Sequence, residues 1–251
     1  NGTYQRNNSK DVTVTGDLTL NGLMTLGGGN KNLILSGASK TIDGTGTINM
    51  SAGGIVEIKS NKTIASTAVI TVADGNFWLN TNGMTITNNG SITIVDDLDG
   101  GFNANTWINA ANSTLVVGGT GANPVLNTKG TLIASATGNS VKYNGAVNPQ
   151  NIITPSGNVY HHLTVSNTGT KDVAATLDIN GNLVIEGTSQ LDVNNNNITL
   201  AGNWTNSSAD ATPFIEGTST VTFDGTAAQT ITNASDETFY NLIINNTGGG
   251  L

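Results

Sequence analysis

The chain is written almost entirely in very short apolar alternations, each stopped by glycine or asparagine: "VTVTG", "LTLNG", "LILSG", "MTITNNG", "LDING", "LVIEG", "ITLAG", "VTFDG". Alternation of period two places apolar side chains on one face of a strand, and Gly or Asn tolerates the backbone that turns it away. No stretch carries apolar residues at i, i+3, i+4 and i+7 for long enough to make a helix. The nearest, around Gly118 to Ala136, is broken by Gly121 and Pro124. The sequence therefore predicts an all-β protein. Strands this short bury little on their own, and their even strand-and-turn rhythm points to a parallel β-helix, or β-solenoid, in which each coil is covered by the next. At about twenty residues and three strands per coil, about twelve coils stacked about 4.8 Å apart would make a rod about 60 Å long. A tandem of β-sandwiches would use longer strands and hairpin turns, and a propeller needs four longer strands per blade.

A longer repetition, with a period of about eighty residues, lies over this rhythm. "SVKYNGAVNPQNI" from Ser140 is answered by "TVTFDGTAAQTI" from Thr220, pairing Val141 with Val221, Tyr143 with Phe223, Gly145 with Gly225 and, after one gap, Gln150 with Gln229. The echo continues through Tyr160 with Phe239, Leu163 with Leu242, Val165 with Ile244 and Asn167 with Asn246. Upstream, "VTVTGDLTLNG" from Val12 matches "LDINGNLVIEG" from Leu177, and "KDV" occurs before both, at Lys10 and at Lys171. The expected organisation is one solenoid over 1–251, with internal units near 1–83, 84–165 and 166–251 and the first two more divergent. The unit should span about four coils. "NTGTKDV" inside the chain also corresponds to the junction of "NNTGGGL" with "NGTYQRNNSKDV", so the chain is expected to end near the phase in which it begins.

Composition narrows function. Only 10% of residues are charged and the net charge is −8, with nine Lys and Arg scattered singly. No basic stripe is present for a phosphate backbone, which argues against nucleic acid as a partner. No run of eighteen apolar residues and no cationic amphipathic helix argues for direct membrane insertion. The absence of cysteine removes disulfides, thiolate metal sites and cysteine nucleophiles together. A first residue other than Met, with no charged and apolar leader, reads as a processed chain or a fragment.

"TVTFDGTAAQTITNASDETFYNLIINNTG" and "ATLDINGNLVIEGTSQLDVNNNNITLAGNW" resemble the repeats of large secreted bacterial surface proteins with β-solenoid stalks, of the filamentous-haemagglutinin and autotransporter-passenger type, and giant surface proteins exported by the type IX route. The resemblance covers roughly 12–37 and 140–248. It implies a right-handed β-helix, an extracellular or cell-surface location and a structural or adhesive role, and it transfers no active site. The type IX sorting tail does not occur in this sequence.

Candidate sites are few. In "DDLDGGFNANTW", Asp97, Asp99 and Asn103 offer hard oxygens to calcium, but the regular acid spacing and closing Glu of a calcium loop are missing, and a solvated turn is the better reading. His161 and His162 are the only histidines, and on a strand they would point to opposite faces. A polysaccharide-degrading β-helix needs two neighbouring carboxylates, whereas Asp43, Glu57, Asp74, Asp178, Glu186, Asp192, Asp210, Glu216 and Asp224 are dispersed. Tyr143, Phe223, Tyr160, Phe239 and Tyr240 recur at matched positions and are expected in the core, while any of Trp78, Trp107 and Trp204 that faces solvent is a candidate for sugar. The outward threonines of "TVT" and "TIT" raise an ice-binding face, which the irregular turn lengths disfavour. "NNNN" at Asn194–Asn197 reads as a turn. Asn-x-Ser/Thr triplets such as Asn61–Thr63 follow from composition alone.

The reading that collects these points is a non-enzymatic structural rod of a bacterial surface filament, adhesin or stalk. No cofactor and no metal site is expected. The expected partner is a further coil, from end-to-end self-association or from a longer polypeptide, with surface glycans as a second candidate. The alternative is a polysaccharide-binding or polysaccharide-degrading β-helix.

Overall fold

A computed structural model describes residues 3–6, 10–27, 31–50, 53–101, 104–119, 123–126, 129–234 and 236–249. Its regular elements are strands and short 3-10 turns such as Ser156–Asn158. All strand pairs are parallel and join each strand to its equivalent in the neighbouring coil, which makes a β-solenoid with coils about 22 residues apart. Each coil runs through three faces in chain order. The first lateral face carries Val12–Val14, Leu33–Leu35, Val56–Ile58, Phe77–Leu79 and Leu98–Asp99, and resumes after a break with Gln150–Ile152, Thr168–Val173, Thr188–Asp192 and Phe214–Ile215. The second lateral face runs from Leu18–Thr19 to Thr131–Ile133 and, across a single bridge from Ala134 to Tyr160, continues to Asn241–Ile244. The third, the long face, is one unbroken sheet of eleven strands from Thr3–Arg6 to Ile231–Asn233. About ten turns at about 4.8 Å make a rod about 50 Å long, slightly shorter than the sequence suggests because each coil uses more residues.

Alternation does the sorting. On the long face Ile48, Val72, Ile94, Val117, Tyr143, Val165 and Ile185 stand in register one above another, all but fully buried. Each buried Val, Leu or Ile contributes about 2 kcal/mol. Fixing one residue's backbone costs about 1–2 kcal/mol, so a lone coil gains nothing and only stacking makes the fold. Corners hold the polar interior: Asn88 Nδ2 donates to Asn109 Oδ1 at 2.8 Å, and Asn109 Nδ2 to the Ser140 carbonyl at 3.0 Å, which satisfies amides buried between coils.

The long repetition proves to be local in structure and out of step with the coils. Ser140–Tyr143 lies on the long face, whereas its echo Thr220–Phe223 lies on the second lateral face, eleven strands later. With three strands to a coil, that unit spans three coils and two thirds, so each copy is turned by one face relative to the last. What recurs is the corner chemistry. Gly145 N–H donates to Gln150 Oε1 at 3.1 Å, and Gly225 N–H donates to Gln229 Oε1 at 2.9 Å. Each glutamine returns its Nε2 to carbonyls of the preceding coil, Gly118 for Gln150, and Leu200 and Gly202 for Gln229. A Cβ on Gly145 would lie 1.8 Å from the Gly118 oxygen, so only glycine lets the coils close there.

Replacing Gln150 or Gln229 by Ala leaves buried backbone groups without partners, and each change should cost about 1–3 kcal/mol in chemical denaturation. Gly145→Ala should be at least as damaging, whereas Asn151→Ala, whose side chain points outward, should change stability by less than about 0.5 kcal/mol.

Candidate functional site

The solvent side of the first lateral face carries the most chemistry. Ile34, Glu57, Trp78 and Asp99 stand in register across four coils, so the aromatic ring lies between two carboxylates. Trp78 is half-buried, while Trp107 and Trp204 are wholly buried, the first edge-on to Phe77 at 5.9 Å and the second to Phe214 at 4.9 Å. Trp78 is thus the tryptophan that faces outward. Glu57 is nearly covered, paired with Lys59 at 3.4 Å and accepting from Asn80 Nδ2.

Where the face breaks, a cleft of about 490 Å³ opens. Behind it lie the buried Val125, Ile152 and Val173, with Ile152 and Val173 in register, and its accessible apolar lining is Ile153 and Ala174. Its edge is Asn123, Asn151 and Asp172, with Asn151 Nδ2 donating to Asn123 Oδ1 at 2.8 Å and Asn151 in register with Asp172. Burial raises the Asp172 carboxyl above the usual range, and Asp192, its register partner on the next coil, raises it further. Two buried phenols brace the wall. Tyr143 and Tyr160 hydroxyls meet at 3.0 Å, Tyr143 Oη accepts from the Ile153 N–H at 3.1 Å, and Tyr160 donates to the Ile153 carbonyl at 2.6 Å.

Most of the expected aromatic core is in place. Tyr143, Tyr160 and Phe223 are buried, and Phe239 packs on Trp204 at 5.2 Å. Tyr240 departs from the expectation and is 61% exposed, at the bend just before the strand Asn241–Ile244. Asn194 and Asn195 take left-handed backbone with φ of 47° and 63°, as a turn requires.

The acidic loop is bonded to its own backbone and to the coil before it. Asp97 N–H donates to Asn76 Oδ1, and Asp99 Oδ1 accepts from the Gly101 N–H at 2.6 Å; Asn103 lies outside the described residues. Among the described residues no group of three or more His, Asp or Glu is placed to hold a metal.

The histidines correct the sequence reading. His161 occupies the bend before the strand His162–Val165, so strand alternation does not apply, and the two rings meet edge-on at 4.3 Å. His162 Nδ1 accepts from the Asn182 N–H at 2.8 Å, and His161 Nδ1 is buried without a partner. Desolvation pushes both pKa values down, and His161 adds to the fall at His162. The long sheet keeps its register over most of its length, with one irregularity between Val72 and Asp74. Its outward file Thr71, Thr93, Val116, Lys142, Thr164, Val184, Thr205 and Thr232 is nonetheless broken three times by non-hydroxyl residues.

Lys171, like Lys62, is a buried titratable group that sequence reasoning missed. "TGTKDV" alternates so that Lys171 faces inward, where its ammonium donates to the Gly145 and Thr168 carbonyls, each at 2.7 Å. Burial pulls its pKa down to about 8.

Comparison with protein-family models, with curated proteins and with solved structures gives no match to any of them.

These shifts predict two pH dependences. The folded histidines titrate below the unfolded value of about 6.5, so the unfolded chain takes up protons first and stability falls as pH drops through that value. Thermal melts of His161→Phe/His162→Gln should show a shallower loss between pH 7 and 5. The folded Lys171 pKa of about 8 lies below its unfolded value near 10.5, so stability should rise from about pH 8 toward pH 10 and lose that rise in Lys171→Met.

Proposed function

We propose that the chain is a structural, non-enzymatic rod of an extracellular bacterial surface filament, adhesin or stalk. The observation that carries this reading is the continuous parallel ladder, with a long sheet of eleven strands and vertical files of buried apolar residues passed from coil to coil. Leu177, Ile198, Val221 and Leu242 form one inward file, and Ile179, Leu200, Phe223 and Ile244 another. The first three members of each file are buried, but Leu242 is 44% and Ile244 47% exposed. Among the described residues, Leu242 and Ile244 thus show the kind of apolar surface on which a further coil stacks. That coil comes from a continuing polypeptide or from a second copy; stacked copies would form an open, heterologous filament. A stiff ladder with a sparsely charged Thr, Asn and Gly exterior suits a load-bearing stalk, and the likeness of its repeats to secreted surface proteins supports the location.

In the polymer form of this reading, electron microscopy of the purified chain should show rods that lengthen with concentration. Leu242→Lys/Ile244→Lys should leave the melting temperature within a few degrees and abolish the lengthening. Uniform monomers at high concentration would sink the polymer form.

A further inference from the structure

We propose that the cleft at the break of the first lateral face binds a neutral oligosaccharide lying along the axis of the coils. Three observations converge there. Outward carboxamide and carboxylate groups line one edge, with Asn151 and Asp172 in register on adjacent coils and Asn123 bonded to Asn151, while the partly exposed Ile153 and the exposed Ala174 supply apolar surface beside them. Asn151 and Asp172 stand one strand spacing apart, about 4.8 Å, close to one ring of an extended sugar chain, so adjacent rings can each meet a hydrogen-bonding group, with Ile153 and Ala174 available to a C–H face. The volume of about 490 Å³ accommodates a short saccharide.

The second observation is that the cleft is braced in a way its repeat counterpart is not. Tyr143 and Tyr160 are answered by Phe223 and Phe239, which have no hydroxyls. A buried phenol is costly unless bonded, and in this copy both phenols are spent on the two backbone groups of Ile153, a residue of the cleft wall. The chain thus fixes this wall where the other copy has only packing, as a preformed binding site requires.

Charge selects the ligand class. None of the described lining residues is cationic, and the nearby Lys171 points into the coil. Asp172 and its neighbour Asp192 repel uronate, sialylated or sulfated glycans, whereas hydroxyls of neutral sugars donate to carboxylates and exchange bonds with the asparagine amides. Trp78, in register with Asp99, offers a stacking platform further along the same face.

The test is calorimetric titration of the whole chain with neutral hexasaccharides of glucose, xylose, mannose and N-acetylglucosamine, and with an oligogalacturonate as the acidic control. At least one neutral hexasaccharide should bind with Kd about millimolar or tighter. Asn151→Ala and Asp172→Ala should each weaken it by about tenfold, and Thr154→Trp at the cleft mouth should abolish it. Tyr160→Phe should weaken binding while circular dichroism still reports a folded solenoid, and Thr199→Ala on the second lateral face should have no effect. Failure of every neutral sugar to bind, preference for the acidic control, response to calcium alone, or binding untouched by Thr154→Trp would overturn the proposal. The rod reading would survive each of those results, since it rests on the coil-to-coil ladder and not on this cleft.

Discussion

Everything in this molecule depends on the parallel backbone ladder between coils. Most strands hold only two to five residues, as in Leu18–Thr19 or Thr45–Asn49, and none could pay its conformational entropy alone. Each strand is held by the equivalent strands above and below, so the cooperative unit is the stack rather than the coil. Residue types follow from that. Inward positions take Val, Leu and Ile in vertical files, outward positions take Thr and Asn, and corners take Gly where a carbonyl of the neighbouring coil comes within 1.8 Å of a would-be Cβ, as at Gly118 and Gly145.

The fold was legible because its two signals are local. Period-two alternation in "LVIEG" or "VTFDG" and a Gly or Asn stop define strand and corner without reference to distant residues, and the even spacing then implies stacking. The site was mostly not legible. Sequence does not number the faces, because a coil adjusts its length at the corners, so the register of Glu57, Trp78 and Asp99 on one face could not be read from their separation. The same ignorance misplaced the histidines: alternation is a rule for residues within one strand, and His161 lies at a bend. Lys171 could have been found, since "TGTKDV" places it at an inward phase between apolar neighbours, but "KDV" at Lys10 gives no such role, for Lys10 is exposed.

The eleven-strand unit explains how a long sequence repeat and a solenoid coexist without a common period. The three faces are near enough in geometry that the motif of Gly145 and Gln150 works at one corner and that of Gly225 and Gln229 at another. Duplication of such a segment adds strands, not coils, and the ladder accepts them because every strand end meets the same kind of corner. Divergence can then act on single positions. Two hydroxyls separate the Tyr143 and Tyr160 pair from Phe223 and Phe239, and they turn a packing contact into a clamp on Ile153.

The central claim is the coil-to-coil register, and a cysteine-free chain allows it to be measured by paired cysteine substitution on the solvent side. Lys142→Cys with Thr164→Cys, and Thr199→Cys with Thr222→Cys, are register neighbours on adjacent coils and should crosslink rapidly under mild oxidation. Lys142→Cys with Thr222→Cys joins repeat-equivalent positions on different faces and should not crosslink within one molecule. Rapid crosslinking of that third pair, with the first two inert, would contradict the ladder and the fold built on it.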